Sequence, residues 1–228
     1  MAGNGKRVLL AGATGLVGGL CLSRLLADDS FEAVISVGRR PLSPSPSDPR
    51  FKEVSVDFFD LGSRSPDLVA DTVICALGST MKKAGSRDAF YQVDYTHCLN
   101  LAKICRQNGA SRFILVSALG ANPKAFSFYS RVKGRLEEAI GDLSYDSLTI
   151  LRPSLIMGKR GEFRPFEEIA KLFTPMLSFL IPDKFKPIEA ETVAAALWIS
   201  ARLEKPGVNI LESNEIRKLY EDVTGKGR

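Results

Sequence analysis

The sequence predicts a doubly wound α/β fold with a mainly parallel sheet. Short apolar runs alternate with helical patterns along the 228 residues. Most of these runs are continuous rather than alternating, as strands covered on both faces require. The first run passes through a glycine-rich turn straight into an apolar helix. That strand–turn–helix order is the phosphate-binding end of doubly wound folds.

Taken in order, the first predicted strand is Val8–Ala11 and the first helix Leu16–Ala27. Strands Ala33–Val37 and Lys52–Val56 follow. Between these two, Pro41, Pro44, Pro46 and Pro49 rule out a regular helix, because proline lacks the N–H and clashes with the preceding turn. Residues Pro41–Arg50 therefore read as a surface loop, ordered or mobile, and not as a domain boundary. Strand Thr72–Ala76 precedes a helix over Ala89–Asn108, which stops at Asn108-Gly109. Strand Phe113–Val116 precedes the helix Tyr129–Ile140, which stops at Gly141. Strand Leu148–Leu151, helices Phe166–Leu172 and Ala190–Leu203, and strand Val208–Leu211 complete the pattern. No internal repeat interrupts it. The length suits one domain, residues 1–228, with a small C-terminal cap over about residues 158–187.

Composition narrows the class of function. The charge of +5 comes from scattered basic residues, with no Lys/Arg block of the kind that makes a nucleic-acid arm. No nucleic-acid partner is expected, while anionic ligands are favoured. Cys21, Cys75, Cys98 and Cys105 form no C-x-x-C, and His97 is the only histidine, so a metal site is not expected. Cysteines set among apolar residues suit a reducing compartment. His97 lies in a helical stretch and reads as a surface or packing residue. Val8–Ala11 is too short for a signal-peptide core. Lys171 and Pro175 break the greasiest late segment, Ile169–Ile181, so no membrane insertion is expected. A cytoplasmic protein, monomer or homodimer, is the expectation.

The chemistry-bearing residues begin with Gly12-Ala-Thr-Gly15-Leu-Val-Gly18. Glycines let the backbone approach phosphates closely, and the helix N-terminus offers free N–H groups and partial positive charge. The spacing is G-x-x-G-x-x-G, and a turn that binds nothing is the competing reading. The second strand ends in Gly38-Arg39-Arg40, where NAD enzymes place an acid for the ribose 2′-hydroxyl. A guanidinium there suits a 2′-phosphate; the alternative is a solvated basic pair. Tyr129 and Lys133 stand at i and i+4 on one helix face. A phenol has an ordinary pKa of about 10, and a neighbouring ammonium lowers it toward useful acid–base chemistry. Ser117 follows a central strand, at the crevice end where α/β sheets bind ligands. It reads as a group holding a substrate oxygen or as a cap; no histidine base or nucleophile elbow accompanies it.

In this order and spacing, the glycine run, Ser117 and Tyr129-x-x-x-Lys133 resemble the short-chain dehydrogenase/reductase superfamily. Val37-Gly-Arg-Arg40, Cys75-Ala-Leu-Gly-Ser-Thr80 with Lys83-Ala-Gly85, and Leu151-Arg-Pro-Ser154 resemble its atypical branch, the Tat-interacting-protein-2-like oxidoreductases. Ile188-Glu-Ala-Glu-Thr-Val193 and Leu211-Glu-Ser213 extend the likeness over most of the chain. The resemblance implies a Rossmann-type domain that prefers NADP(H) over NAD(H). It implies that Gly12, Thr14, Gly15, Leu16 and Val17 surround the pyrophosphate and that Arg39 and Arg40 bind the 2′-phosphate. Leu77 and Gly78 would lie beside the adenine-side ribose, Tyr129 and Lys133 at the nicotinamide ribose. Pro153, Ser154 and Ile156 would border the nicotinamide. Asp94 stands near a position where the superfamily often has asparagine.

The implied activity is hydride transfer between nicotinamide and a small-molecule carbonyl or alcohol. Ser117, Tyr129 and Lys133 form the catalytic set: Tyr129 moves the proton, Ser117 orients and polarises the oxygen, and Lys133 lowers the tyrosine pKa. An NADP(H)-binding regulatory or scaffold protein with a protein partner, and a cofactor-assisted isomerase, are the alternatives. Phe163, Phe166, Ile169, Leu172, Phe173, Met176, Leu177 and Phe179 would pack the cap or line an apolar pocket. The segment Arg160–Lys186 is expected to move and close over the substrate side.

Overall fold

Strand β1 (Lys6–Ala11) lies at the centre of the molecule, with Val8, Leu9, Leu10 and Ala11 all fully buried. Successive strand side chains point to opposite faces, so a run buried at every position needs cover on both. In the computed structural model, which describes residues 6–158 and 182–225, both faces are covered. In chain order the described elements are α1 (Leu16–Leu26), β2 (Phe31–Gly38), β3 (Phe51–Ser55) and β4 (Thr72–Cys75). Then come α2 (Met81–Ala84), α3 (Arg87–Tyr91), a π-helical turn over Gln92–His97, and α4 (Cys98–Gln107). β5 (Arg112–Val116), α5 (Phe128–Gly141), β6 (Ser147–Arg152) and β7 (Ile156–Met157) follow. The last elements are β8 (Ile188–Glu189), α6 (Ala190–Arg202), β9 (Gly207–Glu212) and α7 (Ser213–Thr224).

Seven strands form one sheet in the order β3-β2-β1-β4-β5-β6-β9, and every pairing is parallel. The strand order reverses between β1 and β4, so their C-terminal ends open a crevice. On one face Leu9, Val73, Leu115 and Ile150 pack with Leu101 of α4 and Leu136 and Ile140 of α5. On the other, Val8, Leu10, Ile74 and Ile114 pack with Leu22 and Leu25 of α1 and Val193 and Leu197 of α6. β7 and β8 form a separate two-stranded parallel pair, Ile156 opposite Ile188 and Met157 opposite Glu189.

The predicted doubly wound, parallel architecture is observed. The proline-rich stretch forms neither helix nor strand. It is tied down by Arg50, whose guanidinium donates to the carbonyl oxygens of Asp28 (2.9 Å) and Leu26 and pairs with Asp48 (2.8 Å). The helix expected over Ala89–Asn108 instead runs as α3, the π turn and α4. The sequence reading has no helix after the last strand, yet α7 forms there. Its start is fixed by a capping box, in which Glu212 accepts from the third helical N–H and Glu215 accepts from the Glu212 N–H at 2.8 Å. The expected helix Phe166–Leu172 and most of the cap fall in residues 159–181, outside the described residues. The same holds for most of the segment expected to close.

The glycine turn packs tightly against backbone. Gly12 has φ +97°, and a Cβ there would lie 2.6 Å from the Ala76 carbonyl oxygen. A Cβ on Gly18 would lie 2.1 Å from the carbonyl oxygen of Gly12. Neither contact can be relieved by a side chain, because backbone stands opposite both. Gly18→Ala should therefore force the turn away from α1 and cost about 1–3 kcal/mol of stability. Urea unfolding of the two proteins would measure this, and equal midpoints would show that the turn can yield.

Candidate active site

Two hollows meet at the C-terminal edge of the sheet. The first, about 150 Å³, runs from Gly12, Ala13, Thr14 and Gly15 to Gly38, Arg39, Arg40 and Phe58. Among the described residues, its walls carry no carboxylate. The second, about 390 Å³, is lined by Leu16, Val17, Ser117, Tyr129, Lys133, Ser154 and Ile156. Gly15, Ala76, Leu77 and Gly78 belong to both. The two therefore form one groove that spans the switch point. All the expected site residues except Pro153 line it. Pro153 is buried behind, where its carbonyl oxygen accepts from the Leu119 N–H at 2.9 Å.

The groove suits a dinucleotide by shape. Gly12 and Gly18 keep the turn clear of side chains, and α1 starts beside it with N–H groups available to an anion. At Gly78 a Cβ would come within 3.3 Å of Asp94 Oδ1 and 3.7 Å of Lys133 Nζ, so only glycine leaves the middle of the groove open.

The end of the groove that holds Ser117, Tyr129 and Lys133 is built by three elements. β5 delivers Ser117 just past its C-terminus, held there by the Ser117 N–H donating to the Leu151 carbonyl oxygen at 2.8 Å. α5 presents Tyr129 and Lys133 one turn apart, as the spacing predicts. The π turn presents Asp94, which is fully buried, against Lys133 at 2.8 Å. Asp94 also accepts from the Ser79 N–H at 2.8 Å, which fixes the loop after β4. π turns inside helices often mark functional sites, because the extra residue re-aims a side chain.

Electrostatics refine the expected roles. Burial is the largest influence on Lys133 and would lower its pKa, but the Asp94 carboxylate, together with the neighbouring Tyr129 and Cys98, outweighs it, and the net movement is upward. Burial pushes Asp94 up, opposed by Lys133. Tyr129 is also raised, chiefly by burial; Lys133 pulls it down and Asp94 pushes it up. Lys133 does act on the phenol in the expected sense, but burial wins. The phenol of the free site is thus a proton donor at neutral pH.

Sequence reasoning missed the second layer of the site. Glu137 stands one turn beyond Lys133 and is 7% exposed. It accepts from the Ser117 hydroxyl and from Arg152, whose Nε lies 3.1 and 3.2 Å from its two oxygens. The signal was present as Tyr129, Lys133, Glu137 at a constant spacing of one helical turn. Ser154 does double duty: its N–H donates to Ser213 Oγ at 2.7 Å and its hydroxyl to the Lys186 carbonyl oxygen at 2.6 Å. His97 is the packing residue expected, stacked on Phe58 at 5.3 Å and edge-on to Phe59 at 4.8 Å. Burial lowers its pKa, with Arg39 adding to the shift. The four cysteines are buried and free, and no metal-holding cluster exists among the described residues. No helix among them is long and apolar enough to cross a membrane.

Removing one partner of a buried ion pair strands the other charge. Asp94→Asn should cost about 3–5 kcal/mol at neutral pH. The folded-state pKa of Lys133 lies above its ordinary value of 10.5, so its contribution is complete below that pH. It is lost as pH rises through the folded-state value. The stability gap between wild type and variant, measured by denaturant unfolding across pH, should persist from neutral pH upward and close only under strongly alkaline conditions. A gap already closed near pH 8 would show that the pair contributes nothing.

Residues 12–164 match a family model described as NAD(P)H-binding. Protein HTATIP2 of Rattus norvegicus is 31% identical, covering 96% of this chain and 91% of its own. Protein fmp52, mitochondrial, of Emericella nidulans is 34% identical over 75% of each chain. Protein FMP52, mitochondrial, of Candida glabrata is 32% identical over 95% of this chain and 97% of its own. Among solved structures, the Bordetella bronchiseptica enzyme WbmH in complex with NAD+ superposes with TM-score 0.70 at 18% identity, over 96% of this chain and 81% of that one. MoeE5 in complex with UDP-glucuronic acid and NAD gives 0.68 at 19%, over 96% and 82%. These two establish the fold. The names of the Fmp52 relatives overturn the expectation of a cytoplasmic location, which rested on the cysteine setting, a short first apolar run and the absence of a long one. The chain belongs to the NAD(P)H-binding family, within the atypical branch of the short-chain dehydrogenase/reductase superfamily.

Proposed function

We propose that the protein is an NADP(H)-dependent oxidoreductase acting on a carbonyl or alcohol, in mitochondria like the relatives named for that location. The observation that carries this is the continuity of the groove. Ser117, Tyr129 and Lys133 line one end, the glycine turn and Arg39 and Arg40 the other, with Leu77 and Gly78 between. A protein that only sensed the nucleotide would have no use for a half-buried phenol beside a buried ammonium at the far end.

Gly12, Thr14 and Gly15, with Leu16 and Val17 of the helix start, would hold the pyrophosphate. Arg39 and Arg40 would pair with the 2′-phosphate. Lys133 has three ammonium hydrogens and gives one to Asp94, so it keeps donors for the nicotinamide ribose. Ser154 and Ile156 would border the nicotinamide ring, with Pro153 supporting them from behind. Bound there, the nicotinamide supplies or accepts the hydride. Tyr129 gives its phenolic proton to the substrate oxygen in reduction and takes it back in oxidation. Ser117 stands beside that oxygen and holds it in its alcohol form. Lys133 offsets part of the burial that keeps the phenol protonated.

The proposal is tested first on the cofactor. Arg39→Ala should weaken NADP(H) roughly tenfold or more, the loss of a charge-assisted contact, and NAD(H) hardly at all. Calorimetric titration of both nucleotides decides it; equal losses would remove the phosphate contact.

Chemistry is tested on a carbonyl identified by screening for NADPH consumption. Tyr129→Phe should retain cofactor binding and lose about 10²–10⁴-fold in turnover. Lys133→Ala should weaken both. Because the Tyr129 pKa is raised, reduction should be flat through neutral pH and alcohol oxidation should climb as pH rises. Full activity in Tyr129→Phe would assign the proton to another group.

A further inference from the structure

The hydroxyl of Ser117 does not point its proton into the groove. Ser117 is 5% exposed and lines the catalytic end, yet its Oγ is hydrogen-bonded to Glu137 Oε1. Arg152 holds both oxygens of that carboxylate through Nε, and one of them through its terminal nitrogen. An ionised carboxylate only accepts, and a serine hydroxyl has one proton, so Ser117 is the donor. What it presents to the groove is therefore a lone pair. Turning the hydroxyl away would break a hydrogen bond to a charged, almost completely buried partner, the stronger class of such bonds.

Tyr129 provides the complementary half. Its phenol is protonated at neutral pH and lines the same wall. An alcohol oxygen between the two is satisfied twice, accepting from Tyr129 and donating to Ser117. A ketone oxygen accepts from Tyr129 but meets Ser117 lone pair to lone pair. We infer that Glu137 is a positioning residue that locks the Ser117 hydroxyl as an acceptor, so that the site selects an alcohol over the corresponding ketone. This rests on the proposed carbonyl/alcohol reading and goes further by naming which member of the couple the site fits. Arg152 acts in turn on Glu137, fixing the carboxylate so that one oxygen faces Ser117.

A structural tie between α5 and the strand ends would also use these three residues, so stability alone cannot decide. Glu137→Gln separates the two roles. Its amide oxygen stays on Arg152 and its NH₂ turns to Ser117, which must then accept from it and aim its proton into the groove. The probes are cyclohexanol with NADPH-loaded protein and cyclohexanone with NADP⁺-loaded protein, pairs in which no hydride can move. Binding is read by ligand-observed NMR. Wild type should favour the alcohol by about tenfold, the loss expected for one mismatched hydrogen bond. Glu137→Gln should abolish or invert the preference. Ser117→Ala, a substitution small enough to fold, should weaken the alcohol and leave the ketone unchanged or tighter.

The outcomes that overturn the inference are distinct. They are a wild type that binds both probes equally or neither, a preference unchanged in Glu137→Gln, or a ketone weakened by Ser117→Ala, as a donating serine requires. A ligand-free readout runs beside them. The Ser117 hydroxyl proton should give a slowly exchanging NMR resonance with a cross-peak to the Glu137 side chain, absent in Ser117→Ala; its absence in wild type also overturns the inference. Titration of the same proteins with NADPH and NADH keeps the readings apart. Failure of wild type to bind either nucleotide defeats the proposed function, whereas normal nucleotide binding without the alcohol preference defeats only the role of Glu137.

Discussion

Lys133 and Asp94 meet at 2.8 Å in the interior, both buried, and three segments converge on that contact. α5 carries the ammonium and the π turn carries the carboxylate. The loop after β4 is pinned to the same carboxylate through the Ser79 N–H, and a Cβ at Gly78 would stand 3.3 Å from it. Such a pair contributes little net stability over an apolar contact, since desolvation offsets most of the attraction. Its value here is geometric. It fixes the depth of α5 relative to the sheet, and with it the position of Tyr129 one turn earlier and Glu137 one turn later.

The π turn follows from the same contact. A regular α-helix from Arg87 to Gln107 would advance each residue by a fixed angle. The widened turn over Gln92–His97 lets Asp94 face Lys133 while His97 packs between Phe58 and Phe59. One end of this turn thus shapes the catalytic end of the groove. The other end, at His97, packs on Phe58, which lines the first hollow. The two halves of the nucleotide groove share a single local distortion.

The sheet was legible because its strands are continuous apolar runs and its turns are glycines. Both are local signals, and each central strand was found within a residue or two. The groove residues were legible for the same reason, as motifs with fixed spacing. What was not legible depends on pairing across the fold. Nothing local in Asp94 says that it neutralises Lys133, and nothing in Glu137 says that Ser117 and Arg152 converge on it from two different strand ends. The direction of the Ser117 hydroxyl, and the net rise of the Tyr129 pKa, depend on burial that no window of sequence contains. α7 was overlooked because Ile216 is its only fully buried apolar side chain, leaving the paired Glu212 and Glu215 as the clue. Location was misjudged because an apolar-run argument addresses membrane crossing and not organelle.

The small β7–β8 pair gives the fold room to vary. It brings Met157 opposite Glu189, closing the chain on itself beside the groove before α6 resumes the sheet's outer layer. Both ends of the intervening stretch are anchored there, by the Ile188 N–H on the Leu155 carbonyl oxygen at 2.9 Å and by Ser154 on the Lys186 carbonyl oxygen. The entropy of closing a loop rises only slowly with its length, about 0.6 kcal/mol per doubling. Insertions and deletions between these anchors therefore barely load the seven-stranded framework. The pair works as a neck: what lies between its strands can change in length while the sheet and the groove at its edge stay as they are.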